Sequence, residues 1–419
     1  MHFPRSVSRR LLHIAPRNSL WRNGDFRKLF YATTLIFLGA AVSQMALPLT
    51  AIQLLGAGAS EMGILAACQL LPFVTVGLPA GVWIDRSSKK KLAASFDLCS
   101  ACALALVPLG AWFGFLSMPI LYLVGFMVST TEAIGGSALQ VFVTQLVGRD
   151  QLVSANSKLG AGSSIAMVVG PALAAALVSL LGAPFAISLN VLGFSGSAFF
   201  VSRIAFREAP AKPSAEPFWP QLREGLMFVW RSPMLRGLVA VVAVWIMLAD
   251  SFKALYVLHA TRNLLLEPGQ IAFVNTLGAL GGLAGAPLAH ALARRFGIRN
   301  ALLGGVAVAA CGILLFALPT AALTGVALWS GLALLVFDCG AAVYVINYLT
   351  LRQTVTPDAL LGRMVTSMRF VTILPGPLGA IAIGRAGDGV GLVPIFVGIG
   401  IALLLIALVG TRCLPESKQ

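Results

Sequence analysis

Several ionisable side chains lie inside long apolar runs of this sequence, and any chemistry it performs is expected there. Glu132 and Asp338 fall near the middles of two such runs, Asp250 and Lys253 share a third, and Asp97 and Arg369 sit closer to run ends. A charge at the centre of a membrane helix costs about 2.5–3.5 kcal/mol on insertion scales, so an ionisable residue kept there is a functional hypothesis by default. Burial disfavours the charged form of a carboxylate, which makes Glu132 and Asp338 candidates to exchange a proton; the alternative for each is a protonated or hydrogen-bonded packing residue. Asp250 and Lys253, three residues apart, are neighbours on one helical face and read as an internal ion pair rather than a substrate contact. Asp97 and Arg369 read as conformational contacts or as side chains reaching for water at a helix end. Gln44 and Ser43 in one run, with Tyr344 and Asn347 in another, could line a cavity.

The elements that position these groups must be membrane helices. Of 419 residues, 58% are hydrophobic and only 11% charged, against roughly 25% charged in soluble domains. The mean hydropathy is +0.89. The formal net charge of +15 does not imply nucleic acid, because the basic residues sit in short breaks between apolar runs instead of clustering on one domain. Residues 1–28 hold seven Lys or Arg against one Asp, with no apolar core and no small-residue cleavage site; they read as a basic tail, not a signal peptide. Cys99 and Cys102 form a CxxC spacing inside an apolar run and read as two small helix residues. No cofactor or metal is expected.

Spanning a bilayer takes roughly 20 apolar residues in a helix, and twelve stretches meet that length. They are Leu29–Leu54, Met62–Ile84, Leu92–Phe113, Ile120–Val147, Leu159–Leu181, Pro184–Ile204, Gly237–Ala260, Ile271–Leu292, Ala301–Leu318, Leu323–Leu349, Val365–Ile383 and Pro394–Val409. The runs are continuous instead of alternating, which excludes a β-barrel. Arginine and lysine fill the N-terminal tail and every second loop, while the alternate loops offer only Arg262 and Arg385. The positive-inside rule then places both termini in the cytoplasm. Trp83, Trp219 and Trp230, near run ends, read as interface anchors.

The longest interruption, Arg207 to Ser232, contains four prolines and divides the runs six and six. Its second part, Gln221 to Trp230, reads as an amphipathic helix on the inner membrane surface. This gives a basic tail over 1–28, a six-helix bundle over 29–206, a linker over 207–235, a second bundle over 236–410 and a tail over 411–419. The halves repeat one another. Gln145-Leu-Val-Gly-Arg-Asp150 is echoed by Gln353-Thr-Val-Thr-Pro-Asp358, and Gly170-Pro171 by Gly376-Pro377. The loop containing Gly81, Asp85 and Arg86 is echoed by that from Gly285 to Arg295. Glu132 and Asp338 occupy near-equivalent places in the two halves. Internal repetition of a six-helix bundle is the architecture of secondary transporters, with the substrate site between the halves near mid-membrane.

On these motifs the chain resembles the major facilitator superfamily. Gly81-x-x-x-Asp85-Arg86-x-x-Lys89-Lys90 is similar to the superfamily's loop between helices two and three. Arg352-Gln353-x-Val355-Thr356-Pro357-Asp358-x-Leu360-x-Gly362-Arg363 is similar to the loop before helix eleven in the branch of enterobactin exporters and macrolide efflux pumps, as are Leu152 to Asn156 and Asp25-Phe26-Arg27. The resemblance implies that Asp85 docks on the N-terminus of helix eleven near Gly362 and Arg363, an anion on a positive helix end. Lys89, Lys90 and Lys91 read as an orientation signal. Gly170-Pro171 resembles the core of a helix-five motif of drug antiporters, and with Gly376-Pro377 is expected to serve helix packing. Ala174 and Ala175 stand where that motif prefers glycine, and helix four lacks the arginine common in drug:proton antiporters.

The expected protein is an all-α polytopic membrane protein of twelve transmembrane helices in two six-helix bundles, monomeric, in a bacterial inner membrane. It would export a small organic molecule (a siderophore, a macrolide or another drug-like compound) by alternating access in exchange for protons. Uptake by symport is the alternative within transport. A membrane enzyme is the alternative outside it, but the sequence contains no HExxH, Walker A or GxSxG motif and only four scattered histidines.

Overall fold

The computed structural model describes residues 20–77, 83–84, 86–206, 208, 218–319, 322–357 and 360–414. Among the described residues the first half is built on α1 Gly24–Leu54, α2 Ala59–Thr75, α3 Lys89–Phe113, α4 Met118–Val147, α5 Leu152–Leu181 and α6 Ala183–Ser202. The linker contributes α7, Phe218–Arg231. The second half holds α8 Pro233–Arg262, α9 Pro268–Phe296, α10 Ile298–Ala317, α11 Val326–Thr354, α12 Arg363–Val390 and α13 Leu392–Cys413. Thus α1–α6 are spans one to six and α8–α13 are spans seven to twelve. Eleven are long and apolar enough to cross a bilayer, and α2 is a shorter apolar helix.

Local chemistry sets the helix ends. The Asn23 side chain accepts the Asp25 and Phe26 amides at the start of α1, Ser88 accepts the Lys91 amide in α3, and Ser232 caps α8 just before Pro233. Gly182 and Gly391, at φ +86° and +85°, turn α5 into α6 and α12 into α13. A side chain would strain the backbone at both places, and they are the same place in each half. Several helices outrun their apolar stretches: α5 starts at Leu152 instead of Leu159, and α9 runs Pro268–Phe296 instead of Ile271–Leu292. Polar interfacial residues still favour helix, so the hydrogen-bonded element continues where the apolar run stops. The second span, expected over Met62–Ile84, begins earlier, at Ala59; its first helical stretch runs to Thr75, and Trp83 and Ile84 are again helical among the described residues.

In the first half α1 packs on α5 and α6, α3 on α6 and α2 on α4; in the second, α11 packs on α9 and α10, and α13 on α8 and α10. The halves meet along α2–α12 and α5–α9. Outward faces carry exposed Leu180, Leu192, Leu332, Leu378 and Leu408, an apolar belt suited to lipid.

At the end that holds the basic loops, carboxylates and cations tie the helix termini together. Asp25 accepts the amides of Ala205 and Phe206 and the ammonium of Lys28. Glu208 accepts the Lys89 and Lys90 amides and the Ser88 hydroxyl, closing the first turn of α3. The Lys90 ammonium meets the Ile204 carbonyl beyond α6, and in the second half Arg299 meets the Thr411 carbonyl of α13. Lys90 and Arg299 are each the second residue of the third span of their half. The sequence repeat therefore recurs as a repeat of contacts.

Candidate functional site

The richest polar cluster lies in the second half, where α8 faces α11. The Lys253 ammonium is 3.5 Å from Asp338 Oδ1, with side chains 54% and 24% exposed. It also lies over the face of Phe337, 5.5 Å from the ring centroid, a cation–π contact. The expected pairing of Lys253 with Asp250 gives way to this interhelical one. Helix spacing makes Asp250 a neighbour, but the extended lysine reaches across to α11. Asp250 keeps an electrostatic interaction with Lys253. Beside the pair, Tyr256 Oη donates to Asn275 Oδ1 of α9 at 2.6 Å, and Gly278 of α9 leaves room for the Asp338 carboxylate.

Tyr344 and Asn347, expected to line a cavity, do not. Both are 2% exposed. Tyr344 packs its ring 4.4 Å from that of Trp245 and stacks on Tyr348. Asn347 Nδ2 donates to the carbonyls of Val343 and Ala289, bonding α11 to α9. Arg352 ends this ladder with its guanidinium over the Tyr348 ring and a 3.0 Å bond to its hydroxyl.

In the first half Glu132 begins a π-helical turn, Glu132–Gly136, inside α4. Such turns widen a helix and recur at functional sites; the Gly135-Gly136 pair that closes this one tolerates the distortion. Glu132 is exposed, yet it is deep enough in the fold to interact with the charge of Asp97 on α3. Asp97 is buried and accepts a 2.6 Å hydrogen bond from Ser197 of α6, so of the two readings open for it, a contact between helices or a side chain reaching for water, it takes the first. Gln44 is exposed, whereas Ser43 accepts a hydrogen bond from Asn190 of α6.

The packing motifs have direct neighbours. Gly170 lies against Ala41 of α1, and Gly376 lies between Leu70 of α2 and Ile246 of α8. Pro171 and Pro377 follow inside α5 and α12. Arg369 of α12 places its guanidinium 5.3 Å from the centroid of Phe73 on α2, a contact between the halves.

Of the conformational motif, Gly81 and Asp85 lie outside the described residues. Arg86 is exposed, and Lys89 is buried with its ammonium on the Ser87 carbonyl. Gly362 stands in the first turn of the helix that Leu361 begins. Arg363 forms an ion pair with Glu224 of α7. Ser367 donates to the Leu222 carbonyl, and Gly225 lets α7 approach the α12 backbone. The linker helix is thus fastened to the start of span eleven.

Sequence reasoning missed three carboxylates: Glu208, Glu224 and Asp388. Each lies near a span end and acts across a long sequence separation, so no local pattern announced it. The nearest signal was Asp388's position close to Arg385 in a loop otherwise poor in charge. Among the described residues no group of three His, Cys, Asp or Glu side chains is placed to hold a metal.

Comparison with known proteins agrees with this architecture. The family model of the Major Facilitator Superfamily matches residues 29–380. The multidrug efflux pump Tap of Mycolicibacterium fortuitum is 27% identical over 95% of this chain and 97% of its own length. The enterobactin exporter EntS of Escherichia coli is 26% identical over 94% and 92%. The crystal structure of the nucleoside transporter NupG superposes with a TM-score of 0.72 at 14% identity, covering 94% of this chain and all of that one. The family and its fold are those of transporters, not enzymes, and the chain belongs to the Major Facilitator Superfamily.

Proposed function

We propose that this protein is a secondary active exporter of a small organic compound, working by alternating access and driven by protons. Tap and EntS, named as an efflux pump and an exporter, align with nearly the whole chain, which supports export over uptake. The basic end is the cytoplasmic one on the positive-inside rule, with the membrane being a bacterial inner membrane and the protein acting as a monomer.

The observation that carries the reading is the pair of ionisable sites on helices of the two halves: Glu132 on α4, and Lys253 with Asp338 between α8 and α11. Two groups of opposite charge can part and re-form as α8 and α11 shift against each other within the second half, and a carboxylate freed from its cation can bind a proton. Asp338 and Glu132 are the proposed coupling groups, with Asp250 beside them. Gln44 and the Phe337 ring offer polar and apolar contacts for an amphipathic substrate. Asp97, Tyr344 and Asn347 hold the helices that present these groups. The motif residues Asp85, Arg86, Lys89, Lys90, Gly362 and Arg363 bias the cycle at the cytoplasmic end, where Glu224 holds Arg363.

The test is uptake of radiolabelled siderophores, macrolides and other amphipathic drugs into inverted membrane vesicles, with and without an imposed proton gradient. Gradient-dependent accumulation of one class is expected. No accumulation of any of them, with uptake into intact cells instead, would reverse the direction.

A further inference from the structure

At the end away from the basic loops, α2 starts with a glycine where a capping side chain belongs. Its N-cap is Gly58, which makes no side-chain cap. Four amides at a helix start lack partners within the helix. Glu61 bonds back to the Gly58 amide at 2.6 Å, but that leaves three, among them the next two, Ala59 and Ser60. Both are taken by a residue 328–329 positions away in the other half: Asp388 accepts the Ala59 amide through Oδ1 at 2.8 Å and the Ser60 amide through Oδ2 at 3.1 Å.

The surroundings are built for this contact. A Cβ on Gly58 would come within 3.1 Å of Asp388 Oδ1. One turn further in, Gly63 of α2 lies against Gly384 and the Ala380 carbonyl of α12, and Gly387 lies against Ala59. Small residues on both helices let the backbones approach closely, which brings Asp388 over the helix end. Arg262, closing α8, bonds the Gly56 carbonyl at 2.7 Å and attracts Asp388 electrostatically. Two elements of the second half therefore grip the one turn that opens α2.

We propose that Asp388 is a positioning residue of the transport cycle, an interdomain cap on α2 that favours the state in which the halves are closed at the end away from the basic loops. The cap exists only while α12 and α2 touch there, so opening that end strips it from Ala59 and Ser60. A carboxylate on a helix N-terminus is a charge-assisted contact of modest size, enough to bias an equilibrium without locking it. This role rests on the alternating-access reading above.

The experiment uses full-length protein in lipid nanodiscs with native cysteines replaced. Spin labels at Phe115 and Leu323, exposed turn residues of the first and second half at that end, report its opening by pulsed distance measurement. Asp388→Ala is expected to raise the ratio of long to short distances about three- to ten-fold, and Asp388→Asn, which keeps one acceptor oxygen, to raise it less. Ser60→Pro leaves the α12 sequence unchanged but removes the Ser60 amide donor together with the Ser60 hydroxyl that also bonds Asp388, in a helix turn that tolerates proline, and should shift the ratio the same way. Wild-type distributions in Asp388→Ala and Asp388→Asn, with folding verified by thermal unfolding, would overturn the cap. A wild-type protein that stays short at every pH and with every candidate substrate counts against alternating access, whereas variants indistinguishable from a wild type that does open count against the cap alone.

Discussion

Lys253 of α8 holds Asp338 of α11 at 3.5 Å, across two helices, in preference to Asp250 one turn back on its own helix. The choice matters because an ion pair within one helix is insensitive to helix motion, whereas one between helices changes whenever they move. Half of the lysine side chain is exposed, so the pair adds little to stability, about 0–1 kcal/mol by comparison with other accessible pairs. Its value is therefore expected in the transport cycle.

Removing one partner should show this. Asp338→Asn leaves Lys253 without its carboxylate, and Lys253→Gln frees Asp338. Each is expected to cut gradient-driven accumulation at least about ten-fold while shifting the thermal midpoint by no more than about 2 °C, in keeping with a weak accessible pair. Accumulation and thermal unfolding measured side by side decide it; a large loss of stability with normal specific activity would make the pair structural.

For Glu132 the prediction concerns coupling. Glu132→Gln keeps size and hydrogen-bonding capacity while removing titration. Accumulation against a gradient should be lost and its pH dependence flattened, while downhill exchange of substrate persists. Wild-type pH dependence in this variant and in the Glu132→Gln/Asp338→Asn double variant would pass the coupling role to Asp250.

Glu208 makes a stability prediction. It closes the first turn of α3 from a segment beyond α6, and loss of a helix cap typically costs about 1 kcal/mol. Glu208→Ala should lower the thermal midpoint by about 2–4 °C, with Glu208→Asp intermediate. Because Lys89 and Lys90 are the residues it holds, transport should fall further than stability alone accounts for.

How much of this was legible in the sequence depended on distance along the chain. The spans, the repeat and the amphipathic helix are periodic features of neighbouring residues, and helices stand where apolar runs and polar faces placed them. Tyr344 and Asn347 are cavity candidates in the sequence because periodicity shows that α11 has a polar face, not what it meets. Trp245 and the Ala289 carbonyl meet it, and both residues are buried. Helical spacing offers Lys253 only Asp250 as a partner, because Asp338 is remote in sequence. Asp388 and Glu208 are silent in the sequence for the same reason: each looks like an ordinary loop carboxylate until the fold brings a helix start to it.

The last prediction joins the two ends of α2. The family resemblance implies that Asp85, beyond the far end of α2, docks on the start of span eleven, while Asp388, near the end of span eleven, caps the start of α2. These two contacts would favour opposite states, because the first forms when the cytoplasmic end closes and the second when the other end closes. Asp85→Asn alone should then enrich the cytoplasm-open state, and Asp388→Asn alone the opposite one, each slowing transport because one half of the cycle becomes uphill. Two perturbations of opposite sign and similar size should largely cancel in the equilibrium between states. The double variant is therefore expected to transport faster than either single variant, with a distance distribution between Phe115 and Leu323 close to wild type. Transport losses that multiply in the double variant would show that the carboxylates serve something other than the balance between states.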